Sequence, residues 1–171
     1  MSEQPIVNRV AQSALVTLDL EEIYPKGPRT GVDISQWLEE GLLLREKNFR
    51  AALAAEDWSR YTDNYVHLYC STEAIIPAWA YLLLATYLGA VAKKVVVGTS
   101  QLLETVVFQE AIAQIPAESF QGKPVIIKGC SKVPVPPTAY LMALEKIRDQ
   151  ARSIQYGEAC SSVPLLKNRR G

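Results

Sequence analysis

The chain has 171 residues, 49% hydrophobic and 21% charged, the proportions of one soluble globular domain with a sizeable core. Eighteen basic residues balance eighteen acidic ones, so no net field recruits nucleic acid or an anionic membrane, and neither is expected as a partner. The opening, from Met1 to Ile6, lacks the basic and apolar regions of a signal peptide; this predicts a cytoplasmic location, with the three cysteines as reduced thiols.

In chain order, residues 14–20 alternate like a strand and residues 24–31 form a Pro- and Gly-rich loop. Ser35 is placed to cap a short helix through Trp37 and Leu38 that ends at Gly41. A second helix is predicted from Arg45 to about Ala55. This irregular opening, residues 1–62, reads as an α+β appendage. Strand and helix alternate from there: strand 65–70, helix 77–92, strand 94–97, helix 100–115, strand 125–128, helix 136–151 and strand 154–157. Residues 63–164 are thus a parallel-sheet core and residues 165–171 a tail, within one α/β domain spanning 1–171. Residues 74–92 carry no charged side chain. Pro77 starts their helix and leaves roughly 22 Å of it, short of a bilayer core of ~30 Å, so a buried helix is expected.

An internal repeat organises the core. The spacing from Ala80 and Tyr81 to Gly98 equals that from Ala139 and Tyr140 to Gly157. Two βαβ repeats joined by a crossover helix predict a Rossmann-like three-layer domain with a four-stranded parallel sheet of order 2-1-3-4.

The three cysteines occur as Cys70-Ser71, Cys130-Ser131 and Cys160-Ser161, each at or just past a predicted strand end. In the order 2-1-3-4 these ends lie on three adjacent strands along the rim where open α/β sheets bind ligands. Cys70, Cys130 and Cys160 are therefore expected as thiolate ligands of zinc or an iron–sulfur cluster. An open fourth position would fall to Glu73, Glu158, water or an exchangeable ligand. Ser71, Thr72, Ser131 and Ser161 add hydroxyls to the same ligand-binding rim. Two other readings stay open: a metal-free thiol enzyme or sulfur carrier, and a non-catalytic binding module with buried cysteines. His67 is expected on the strand face opposite Cys70, and Tyr81 and Tyr140 as symmetric packing residues. Oligomeric state is left open.

The Cys-Ser motifs, the Ile76-Pro77 and Val135-Pro136 helix starts, and the Ile6–Val10 and Tyr24-Pro25 segments of the opening together resemble domain of unknown function family 2480, over almost the whole chain. Members of that family are often encoded beside sulfur-mobilising iron–sulfur assembly components. The resemblance therefore implies an accessory role in cluster assembly or transfer, with iron–sulfur assembly proteins as partners.

Overall fold

A computed structural model describes residues 14–128 and 132–168. The fold is mixed α/β, with sheets of parallel strands and four α-helices. Two compact units account for the chain: residues 25–107 form one, and residues 1–24 with 108–171 the other.

The unit of residues 25–107 holds β2 (Arg29–Asp33), α1 (Glu46–Ala55), β3 (Tyr65–Tyr69), α2 (Ala78–Leu88) and β4 (Lys94–Val97). Its three parallel strands lie in the order β2-β3-β4. Strand alternation turns Val32, Val66 and Leu68 to one face, and Phe49 and Leu53 of α1 and Ala80, Leu84 and Leu88 of α2 pack there. Burying each large apolar side chain contributes about 1.5–3 kcal/mol, which makes this face the main source of stability.

The other unit begins with β1 (Val16–Asp19) and resumes after residue 107 with the C-terminal half of α3 (Ser100–Ala113). Then come β5 (Pro124–Lys128), α4 (Pro137–Ile147), β6 (Ser153–Glu158) and β7 (Ser161–Lys167). The sheet order is β1-β5-β6-β7, parallel except for the β6–β7 hairpin. Leu18, Val125, Ile127 and Ile154 face Phe108 and Ile112 of α3 and Ala139, Ala143 and Ile147 of α4.

The repeat is longer than the sequence pattern indicates. Phe49 and Phe108, Leu53 and Ile112, Tyr61 and Phe120, Val66 and Val125, Leu68 and Ile127, and Leu88 and Ile147 occupy equivalent core positions, each pair 59 residues apart. Turns repeat as well. Asp63 (φ 60°) and Gly122 (φ 69°) make the same left-handed turn. Their N–H groups donate to the Val91 and Gln150 carbonyls at 3.0 and 2.9 Å. Pro77 and Pro136 start α2 and α4 with the same backbone angles, and neither helix has a side-chain cap.

The expected sheet arrangement is corrected. The single sheet of order 2-1-3-4 is not formed, because β3 is flanked by β2 and β4 while β5 is flanked by β1 and β6. A strand has two edges, and those of both middle strands are taken. Within each unit the two helices named above pack on the same face of the sheet. Residues 16–19 and 29–33, expected in an appendage, supply the edge strands that fill those positions. Residues 161–167, partly assigned to a tail, form β7. Among the described residues no helix is long and apolar enough to cross a membrane; α2 stops at Leu88, with Gly89 as its C-cap.

Candidate functional site

A polar cluster lies at the C-terminal ends of β2 and β3. Asp33 ends β2, and its Oδ1 accepts the N–H of Ser35 at 2.9 Å and that of Ser71 at 3.1 Å. The Ser35 and Ser71 hydroxyls are 3.0 Å apart. Asp33 thereby ties the turn after β2 to the loop after β3. Burial pushes its carboxyl up, but hydrogen bonds from Ser71 and Ser35 outweigh this and hold it below its ordinary value. Asp33 stays ionised, its charge committed to the latch.

Within the latched loop, the Cys70 Sγ lies 3.3 Å from the Thr72 hydroxyl. Cys70 is half-buried, packed against the core of its unit together with Tyr81. Burial first, and the neighbouring Cys70 second, raise the Tyr81 phenol above its usual value. Tyr81 therefore remains a hydroxyl donor. The loop leads through Pro77 into α2, whose first N–H groups have no side-chain acceptor. The site thus combines a thiol, two hydroxyls and an uncapped helix start. Ser71, Thr72 and Glu73 are exposed around it.

The described residues of the equivalent rim in the other unit form ion pairs. Asp19 ends β1 and accepts the Glu21 N–H at 2.9 Å, as Asp33 accepts that of Ser35. Glu21 in turn accepts the Lys132 N–H at 3.0 Å. The Lys128 ammonium, at the end of β5, sits 3.6 Å from Asp19 and 3.5 Å from Glu158. Tyr140, the counterpart of Tyr81, meets Tyr156 edge to face at 5.5 Å. Among its described residues this rim carries ion pairs.

Placement of the cysteines overturns the metal and iron–sulfur reading. Cys70 follows β3 of the three-stranded sheet, whereas Cys160 is exposed in the β6–β7 hairpin turn of the other sheet, beside Ser161 and Glu158. The expected convergence depended on neighbouring strands in one sheet, and that sheet does not exist. Among the described residues no group of three or more His, Cys, Asp or Glu side chains could hold a metal ion. Cys130 and Ser131 lie outside the described residues.

His67 is on the face away from Cys70, its ring stacked on Tyr69 at 5.3 Å and against Gly31, where a Cβ would come within 2.9 Å. Ser35 was expected to cap the turn that follows, but the cap is Asp33, which the sequence reading did not single out. The signal was present in the parallel between Leu18-Asp19-Leu20-Glu21 and Val32-Asp33-Ile34-Ser35: an aspartate after a buried residue, with an N–H donor two positions on.

No curated protein and no solved structure matches the chain. The family described as "Protein of unknown function (DUF2480)" has a model that matches residues 4–168, and with nearly its whole length covered the chain belongs to that family.

Proposed function

We propose that the protein binds a small ligand at the rim of β2 and β3 and engages it through the Cys70 thiol, with the Thr72 and Tyr81 hydroxyls orienting the bound group. Ser71 and Glu73 border the ligand, and Asp33 is a positioning residue that fixes the loop. The reading is carried by the Cys70–Thr72 contact at 3.3 Å inside a loop held by an ionised aspartate. A thiol that only filled space would need no such frame. Free thiols of this kind suit the reducing cytoplasm, where we place the protein.

Alkylation tests the proposal. Limiting iodoacetamide on the native protein, with each thiol followed by mass spectrometry, should label Cys70 faster than the more exposed Cys160. Thr72→Val should slow Cys70 alone, several-fold, without lowering the melting temperature. Labelling of Cys160 first, with Cys70 reacting only as the protein unfolds, would make Cys70 a packing residue and end this reading.

A further inference from the structure

Among the described strands β2 borders its sheet, paired with β3 on one side only. The Tyr65 N–H donates to the Pro28 carbonyl at 2.9 Å, which sets the phase of the ladder. Thr30 and Val32 bond toward β3, so the main-chain groups of Gly31 and Asp33 point away from the sheet. The Asp33 carbonyl accepts the Gln36 amide at 2.7 Å. Gly31 is exposed, and its N–H and carbonyl have no partner among the described residues.

These groups open into a groove of about 510 Å³ that Thr30, Arg60, Tyr61, Asn64 and Tyr69 also line. Asn64 is 8% exposed, and its Nδ2 donates to the Thr30 hydroxyl at 3.0 Å. Its Oδ1 and second N–H meet no side chain or main-chain group among the described residues. No fully buried side-chain oxygen or nitrogen is left unpartnered among those residues, so this end of the amide reaches the groove rather than the core. A buried amide with a donor and an acceptor unspent calls for a polar group that offers both. Arg60 lies over the Tyr61 ring at 4.8 Å and commits one nitrogen to Glu56 and the Tyr61 hydroxyl. Its Nε and Nη1 are unengaged among the described residues.

The repeat shows that the fold does not demand these side chains. Lys123 takes the place of Asn64 in the other unit, and the two main chains do the same work: the Asn64 and Lys123 carbonyls accept the Lys93 and Arg152 N–H groups, each at 2.9 Å. The Lys123 side chain turns back onto the carbonyl of Ser119, at 2.7 Å, and Ser119 stands where Arg60 does.

We infer that the outer edge of β2 is a peptide-binding groove, which takes an extended segment of another protein as an added antiparallel strand with an acidic side chain directed to Arg60. One peptide residue exchanges both main-chain bonds with Gly31, the pairing that satisfies both groups in the shortest contact. Its side chain lies on the Tyr69 face. The next residue, on the Asn64 face, brings a carboxylate to the unengaged guanidinium nitrogens. Asn64 bonds the peptide main chain, an amide meeting its own complement. An isolated carboxylate or phosphate would use Arg60 and leave Gly31 and Asn64 unsatisfied. Cys70 does not line the groove, so this inference stands apart from the thiol site.

The probe is the blocked pentapeptide acetyl-Thr-Thr-Val-Glu-Thr-amide, with its valine meant for Gly31. Amide hydrogen exchange of the full chain, read residue by residue by NMR, should find Gly31 fast and Val32 protected in the free protein. Peptide at about 5 mM, several times a dissociation constant near 1 mM, should slow Gly31 at least about threefold. Replacing the peptide glutamate by glutamine should weaken binding about threefold in the wild type, and Arg60→Gln should erase that difference. N-methylation of the valine deletes the N–H meant for Gly31 and should abolish the slowing, with the protein itself untouched. No slowing at this concentration overturns the inference, as does slowing that survives N-methylation or a glutamate preference that survives Arg60→Gln. Gly31 already protected in the free protein overturns it too. Protection that grows with protein concentration gives the edge to a second copy instead, and is equally fatal.

Discussion

Among the described residues, the two rims share a backbone latch and carry different side chains around it. At the end of β2 and at the end of β1, an aspartate accepts the N–H of the residue two positions on, and a side chain from that turn or the aspartate itself reaches across to the loop after the middle strand. Beyond this shared latch, the described residues of one rim include Cys70, Thr72 and Tyr81, and those of the other include Lys128 between Asp19 and Glu158. Core and turn positions recur because packing and backbone geometry dictate them. Rim side chains are free of that dictate, and among the described residues they differ between the two units.

If the cores are equivalent, equivalent damage should cost alike. Phe49→Ala and Phe108→Ala, each removing a fully buried ring from a matched position, should each cost about 3–5 kcal/mol. Chemical denaturation of the two variants measures this. Costs differing by more than about 2 kcal/mol would break the equivalence of the two cores.

The glycines that end the third strand of each repeat should separate the units. Gly98 and Gly157 have φ of 138° and 120°, a region that other residues rarely enter. A Cβ at Gly157 would lie 2.7 Å from the backbone oxygen of Ser161, whereas one at Gly98 would meet only the movable end of Leu102. Both alanine variants should lose about 1–3 kcal/mol, with Gly157→Ala at the upper end. Equal melting temperatures for the two would refute the role given to the hairpin backbone.

The latches give the smallest effects. Asp33→Asn should cost about 1 kcal/mol at neutral pH, because several donors lose an ionised acceptor at a partly solvated site. The carboxyl of Asp33 is lowered in the folded state, so its stabilisation is present above the ordinary carboxylate value of about 3.9 and lost as pH falls through the lower native value. The gap between wild type and Asp33→Asn should therefore close in acid. A gap independent of pH would mean that ionised Asp33 is not what holds the loop. Glu21→Gln, touching a single N–H donor, should cost only a few tenths of a kcal/mol.

The alternation of strand and helix was legible from residue 65 onward, because apolar periodicity and the Pro and Gly punctuation at 77, 98, 136 and 157 report local structure directly. Strand order was not. The repeat extends back through residues 46–64 and 105–123, but there it is written in interchangeable chemistry: Leu53 for Ile112, Tyr61 for Phe120, Asp63 for Gly122. The two first strands escape the constant spacing altogether. β1 and β2 both precede the repeated segments, and their ends, Asp19 and Asp33, are only 14 residues apart. Without them the middle strands looked half-paired, and joining them was the natural error. The hairpin that carries Cys160 was missed because Pro164 interrupts the strand pattern of β7.

The position of β1 also sets a timetable. Val16 pairs with Val125, and everything needed for the other sheet lies between them. At about 5–20 residues per second, the ribosome delivers β5 on the order of 5–20 s after β1. The unit of residues 25–107 is therefore completely synthesised before the β5 partner of β1 exists. Closing the sheet that β1 borders requires bringing distant segments together, the slow kind of contact in folding. During that interval the nascent chain holds one unit whose elements are all present and an orphan strand, and chaperones that shield unpaired edges would be needed there first.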